Sequence, residues 1–478
     1  VVVVGYSSRV RKDLTGSVGS VSGVKLAAVP VTSAAIALQG KISGVQVTTV
    51  DGAPGADINI RVRGGTSVTQ SNAPLYIVDG FQVENINDIP PTDIASIDVL
   101  KDASITAIYG AKGSNGVVVV TTKSAKSGKI QVSLNSHLST SRLSKKLDLM
   151  DAKEFARYQY EWSACNGSRS SNAKFFRANF GNPNDLDLYA TLPTHDWQDE
   201  VMSENPINYS TNVSIGGGSE NLRFNLSLTQ SEDQGIIMGS GVRRTNLNIK
   251  TAIDISKKLT LQFNPKFTFR RDEGAGGDNI GTGGIIDVLR YRPTNGFREY
   301  GYIDPRYADP DEEELFTYTN PKSDISINQQ KKHKYDYSNA FSLDWKPIDG
   351  LVLRTEATVG LTWGDQYRFY GSLTSVGQSN NSQPVASINK NQSLRYIWTN
   401  TANYGFTVRN DHNFSFLLGQ EIFHDQNKIS FQQSRYFPRA FEAQQAWDNM
   451  GFGTPQNSYT TTSTPDRMAS FFGQASYN

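Results

Sequence analysis

Several residue groupings in this 478-residue chain have types and spacings that could support chemistry. Lys101, Asp102 and Tyr109 lie close together, and a lysine near a tyrosine can move a proton. Their spacing matches no catalytic signature, and no G-x-S-x-G nucleophile elbow accompanies them. His195-Asp196 has no nucleophile at a readable distance, and the other four histidines are scattered without an HExxH arrangement. Asp309, Asp311 and Glu312 belong to an acidic run that could offer oxygens to Ca²⁺. The run lacks EF-hand spacing, and a solvated surface segment is the plainer reading. The glycines between 274 and 284 have no following Lys-Ser/Thr and open no helix, so a flexible loop is expected rather than a phosphate cradle. Cys165 is the sole cysteine, which excludes an intrachain disulfide framework and Cys-rich metal sites. No enzyme and no resident cofactor is expected.

The elements that must position these residues fall into two parts. Lys+Arg 47 against Asp+Glu 46 leaves a net charge of +1, without the basic excess of a nucleic-acid binder. Gly 41, Tyr 21 and Phe 23, with many Ser, Thr and Asn, indicate β structure with polar faces. Residues 1–123 read as mixed α/β. Short β-branched strands are expected at Val45–Val50, Ile58–Arg63, Leu75–Val78, Ile97–Leu100 and Val117–Thr122. Short helices are expected at Ala34–Leu38 and at Ala103–Tyr109, the latter closed by Gly110.

From about residue 129 the pattern changes to long strands of strict alternation. Along Leu259–Arg270 one parity is apolar or proline and the other is polar. Leu222–Thr229, Leu247–Ile255, Tyr335–Trp345 and Leu351–Trp363 repeat this period of two, which gives each strand one apolar and one polar face. Short connections near 216–220, 256–258, 346–350 and 409–412 alternate with long polar ones near 139–206, 272–332, 364–391 and 426–464. That one-sided asymmetry suits a transmembrane β-barrel with tight inner turns and long outer loops. Trp345, Trp363, Phe269 and Trp398 suit aromatic girdles. About ten to twelve strands are expected, against about 22 in large plugged barrels. The chain begins at Val1 and stops inside a strand-like pattern, so a longer parent protein is expected.

Dense motifs carry a family resemblance. They run from Val1-Val2-Val3-Val4-Gly5-Tyr6 and Leu14–Val18 through Ala37–Val45, Pro54-Gly55 and Ile60–Gly64. Pro74-Leu75-Tyr76-Ile77-Val78-Asp79-Gly80, Ile97–Ala103 and Ala107–Val117 follow, ending in Thr121-Thr122-Lys123. This first quarter resembles the plug domain of the SusC/RagA family of TonB-dependent outer-membrane transporters. Ser7 departs from the glycine more usual there. The fold implied is membrane β: an N-terminal α/β plug domain inside a large antiparallel transmembrane β-barrel, only about half present. The expected division is a TonB-box region at 1–8, the plug at 9–125 and the first part of the barrel at 126–478.

The resemblance implies active import of an oligosaccharide or oligopeptide across a Gram-negative outer membrane, under a SusD-like surface lipoprotein. Val1, Val2, Val3, Val4 and Gly5 would form the TonB box. An extended β-branched segment can add to the sheet edge of a partner, here periplasmic TonB energised by ExbB/ExbD. The competing reading is an ordinary plug strand. Arg61 and Arg63 share one strand face and could anchor the plug to lumen carboxylates such as Glu356 and Asp254; a solvated face competes. The small polar plug loop with Thr66, Ser67, Thr69, Gln70, Ser71 and Asn72 is the expected substrate contact, with a periplasm-facing turn as its rival. Other function classes are a barrel recruited as a structural or assembly subunit, an outer-membrane enzyme and a soluble β-sandwich binding module.

Overall fold

The structure is a computed structural model that describes residues 2–4, 7–9, 18–50, 52–62, 72–102, 106–124, 127–165, 176–177, 180–203, 205–274, 285–294, 321–408 and 412–477. In the N-terminal part, β1 (Val2–Val4) pairs antiparallel with β2 (Ser7–Arg9) as a separate two-stranded sheet. The plug core is a five-stranded sheet of β3 (Val18–Ser22), β6 (Leu75–Val78), β7 (Phe81–Val83), β8 (Ile94–Leu100) and β9 (Val117–Thr122), while β4 (Gln46–Thr49) and β5 (Ile58–Arg61) form a hairpin beside it. Its order is β3-β8-β9-β6-β7, and only β6 and β9 run parallel. β9 lies centrally, which is why Val117, Val118, Val119 and Val120 read as an unbroken apolar run: all four are buried. Helices α1 (Gly23–Ala27) and α2 (Ala34–Ala37) cover one face through Leu26, Ala34 and Ala37. The Ser33 hydroxyl caps α2 by accepting from the Ala35 amide.

The second part is a twelve-stranded antiparallel sheet. Its strands are β10 (Gly128–Thr140), β11 (Ile207–Gly218), β12 (Leu222–Gln234), β13 (Gly241–Ser256), β14 (Leu259–Glu273), β15 (Gln329–Trp345), β16 (Leu351–Tyr370), β17 (Val385–Val408) and β18 (His412–Arg435). β19 (Thr454–Pro455), β20 (Tyr459–Thr462) and β21 (Asp466–Tyr477) all pair with β18. Every neighbour from β10 to β18 follows in chain order, so the alternation read from the sequence maps directly onto two faces. Outward on β14 lie Leu259, Leu261, Phe263, Phe267 and Phe269; inward lie Gln262, Asn264, Lys266 and Arg270 toward the plug. The tight turn before β16 needs Gly350, at φ +81°, because a Cβ there would stand 2.2 Å from the Gly405 carbonyl oxygen.

Four expectations change. Ala103–Tyr109 is not one helix closed by Gly110. Residues 103–105 lie outside the described residues, and a 3₁₀ stretch over Ala107–Gly113 is broken at Gly110, whose φ is +59°. The long connections at 364–391 and 426–464 are shorter than expected, because β16 runs on to Tyr370 and β18 to Arg435. Trp398 sits mid-strand opposite Ala357 and Ile422, within the apolar band rather than at its edge. Trp345 and Trp363 do stand near the two ends of that band, both exposed outward.

Candidate functional site at the plug–barrel interface

The site begins with a turn. Asp79 and Gly80 join β6 to β7, with φ of +51° and +90°. Asp-Gly is the pair that tolerates positive φ at both central positions of a two-residue hairpin. The turn aims the Asp79 carboxylate at the barrel wall. There Oδ1 accepts from Lys250 Nζ at 2.7 Å and Oδ2 from Lys266 Nζ at 2.5 Å. The Thr122 amide and hydroxyl donate to the same carboxylate at 2.9 and 2.8 Å. Lys250 Nζ also donates to the Thr122 carbonyl at 3.0 Å. Burial alone would push this carboxyl up; the two ammonium groups outweigh it and hold Asp79 well below the usual carboxylate range.

Asp88 makes a second anchor. Arg270 Nη1 lies 3.1 Å from its carboxylate, Arg244 Nε 3.5 Å and Lys334 Nζ 3.7 Å. Arg270 also donates to the Gly55 carbonyl at 2.8 Å, and Asn246 Nδ2 to the Asp88 carbonyl at 2.7 Å. Here too burial pushes the carboxyl up, and the cations of three adjacent strands bring it net below its ordinary value. Asp93 differs. Burial prevails to raise its pKa, against hydrogen bonds from the neutral donors Ser227 Oγ at 2.5 Å and Asn212 Nδ2 at 3.2 Å and the weaker pull of Lys123 and Lys266. Glu84 reaches Arg395 at 3.2 Å, and Thr32 donates to Asp233 at 2.6 Å. The plug therefore presents carboxylates to a barrel wall of lysines, arginines and amides.

Two cavities border this seam. One of 820 Å³ is lined by Gly80, Phe81, Tyr109, Lys112, Glu356 and Glu421 among others, and one of 310 Å³ by Glu84, Asp88, Lys334 and Arg395 among others. Asp79 lines both, with Lys250 facing the first and Lys266 the second. Lys112 stands 4.0 Å over the Phe423 ring, a cation–π contact, and burial lowers its pKa.

Anchoring was expected from Arg61 and Arg63 to barrel carboxylates; the described structure has the charges the other way round. Arg61 is exposed on β5 and forms no ion pair among the described residues, and Arg63 lies outside them. The carboxylates considered for it are already taken: Glu356 bonds Arg354, and Asp254 bonds Arg223 at 2.7 Å and Thr260 at 2.7 Å. Val2, Val3 and Val4 form β1; Val1 and Gly5 lie outside the described residues. Thr66, Ser67, Thr69, Gln70 and Ser71 also lie outside them, and Asn72 is half-buried just before β6. Asp309, Asp311 and Glu312 lie outside them as well. Lys101 donates to the Ser43 carbonyl, and half-buried Tyr109 packs against the Ile77–Leu100–Val117 cluster. Reading by motif missed Asp79 as an anchor. The signal was present in Asp-Gly after a buried strand, together with lysines on the inward parity of β13 and β14.

Comparison with known proteins agrees with this architecture. Residues 10–117 match the family model described as the TonB-dependent Receptor Plug Domain. TonB-dependent receptor P26 of Formosa agariphila is 32% identical over 491 aligned residues, which cover 100% of this chain and 46% of that protein. TonB-dependent receptor SusC of Bacteroides thetaiotaomicron is 28% identical, over 100% of this chain and 47% of its own length. The RagAB peptide importer in its open-open state superposes with a TM-score of 0.77 at 24% identity, over 100% of this chain and 54% of that one. Unliganded ferric citrate transporter FecA gives 0.59 at 10% identity, over 98% of this chain and 54% of that one. A plug sheet locked inside a partial antiparallel barrel wall defines a plugged outer-membrane-type β-barrel. Along its whole length the chain is similar to TonB-dependent receptors, SusC among them, and its residues 10–117 carry their plug domain. It spans about half the length of the curated relatives it matches.

Proposed function

We propose that the protein imports an oligosaccharide or oligopeptide across a bacterial outer membrane, drawing energy from TonB and ExbB/ExbD, with a SusD-like lipoprotein as its lid. The observation that carries this reading is the plug–barrel seam: polar, ion-paired and bordered on both sides of Asp79 by cavities. A permanent wall would be packed with apolar side chains, whereas this seam can part into hydrated surfaces. Force applied at Val1–Gly5 would shift the plug, withdraw Asp79 from Lys250 and Lys266, and join the two cavities into a passage. Substrate would first meet the plug loop from Thr66 to Asn72 and the long outer loops, whose acidic stretch at Asp309, Asp311 and Glu312 is a candidate Ca²⁺ holder. β1 supports the engagement step, because its only partner among the described residues is β2 and a two-stranded sheet has open edges for strand addition.

The test is a Val3→Cys variant of the full protein, probed with a cysteine-substituted TonB periplasmic domain. The expected result is a disulfide-linked adduct that increases when cargo is bound. Absence of the adduct, with uptake persisting after residues 1–5 are deleted, would remove TonB coupling from the account and favour an assembly-subunit role.

A further inference from the structure

The outward face of the barrel carries a feature that import does not use. On β14 the outward apolar residues run from Leu259 to Phe269. That is about 34 Å of strand at ~3.4 Å per residue, or about 26 Å of height at a tilt of ~40°. Phe269, Tyr335 and Trp363 are register neighbours and form the outer aromatic row of this band. One step above, the strand registers align Arg243, Arg271, His333, Asp365 and Lys390 in a single rung across five strands. Lys331 stands one row higher, opposite Glu273, and Lys428 one row lower, opposite Gln392.

The acids here are partly spent. Glu232 pairs with Arg243 at 3.0 Å, and Glu273 pairs with Arg271. Lys331, Lys390 and Lys428 form no ion pair among the described residues, and Lys390 and Lys428 are exposed. Asp448, close to Tyr367, adds a further acid, so five cations stand against Glu232, Glu273, Asp365 and Asp448, and the patch keeps a positive excess of one. It also has a roof. The helix Ala443–Asp448, from the connection after β18, folds back on the outer face of β16 and β17. Its Trp447 donates to the Arg368 carbonyl at 3.1 Å, and Lys331 Nζ lies 5.2 Å from the Trp447 ring centre. The result is a cationic ledge with aromatic rings below and a tryptophan above.

We infer that this ledge binds the phosphate-bearing headgroups of outer-leaflet lipid. Three features favour that occupant. The ledge stands at headgroup height, the cations on it that form no ion pair among the described residues are lysines on a lipid-facing surface, and the aromatic row beneath is what a membrane interface selects. Phosphate oxygens would meet Lys390, Lys428 and Lys331 while acyl chains lie on the Phe269–Tyr335–Trp363 row. The inference rests on the outer-membrane reading.

The test uses the full protein, purified from outer membranes in detergent and stripped of lipid, with monophosphorylated lipid A and its dephosphorylated form as probes. Binding is read by native mass spectrometry. The phosphorylated form should bind at least about tenfold more tightly, and Lys390→Glu with Lys428→Glu should abolish that preference, as removal of cations near a lipid surface would. Equal binding of the two lipids, or an unchanged preference in the folded double variant, would overturn the inference. Heat-modifiable electrophoretic mobility reports the folded barrel. Absence of the protein from the outer-membrane fraction would instead sink the membrane reading itself, so the two failures are distinguishable.

Discussion

Replacing Asp79 with asparagine is expected to loosen the plug by about 3–5 kcal/mol, the usual result of removing one partner from a buried ion pair. Asp79, Lys250 and Lys266 have side-chain exposures of 9%, 11% and 23%, so solvent does little to replace the lost carboxylate. Two ammonium groups would be left facing each other across a neutral amide. Asparagine keeps the positive-φ turn with Gly80, so the backbone should hold and the effect should isolate the charge. The measurement is the rate at which a protease cuts the plug in the folded barrel, with the thermal midpoint of the plug beside it. Faster cleavage and a lower midpoint are expected. An additional Lys250→Met change should recover part of the loss, because it removes one of the stranded charges. A variant indistinguishable from the parent would show that the seam is held by shape alone.

The second large effect is on acid stability. Asp79 and Asp88 have pKa values lowered below the ordinary aspartate value of about 4. A carboxylate lowered in the folded state contributes stability that is fully present above its unfolded pKa and is lost as pH falls through its folded one. Plug retention should therefore hold steady from neutrality down to about pH 4 and fall below it. Asp93, raised by burial, acts in the opposite sense: its contribution is full below about pH 4 and fades as pH rises through its folded value. That change lies above the range in which Asp79 and Asp88 lose their contribution, so the fall below about pH 4 remains. Calorimetry of the plug transition at pH 7, 5 and 3 checks this. A drop already complete between pH 7 and 5 would point to groups other than these aspartates. Asp79→Asn should also flatten the acid-dependent fall.

Much of the barrel was legible because each strand obeys one simple constraint. Leu247 and Ile249 must face outward where Lys250 and Asn248 face the plug, and alternation reports that directly. The plug strands were legible from β-branched runs such as Val117–Val120. What stayed hidden followed physical lines as well. Asn389-Lys390-Asn391-Gln392 lies in β17 but is polar at both parities. Above the apolar band both faces meet polar surroundings, so alternation ceases and strand looks like loop. The ion pairs were hidden because Asp79 and Lys266 lie 187 residues apart, and only the strand register brings them together. Arg61 drew attention as a strand-borne charge, yet the carboxylates on the lumen wall were claimed by arginines of their own and adjacent strands. A one-dimensional reading detects that a face is charged; it does not show which partner reaches it first.

The measurement that tests the central claim most directly is mass spectrometry of the complex purified gently from native outer membrane, identifying protein partners and retained small molecules together. The importer account predicts a SusD-like lipoprotein with a bound glycan or peptide, in near-equal amount to this protein. A stable set of unrelated proteins with no lipoprotein and no cargo would contradict it and assign the barrel to an assembly role.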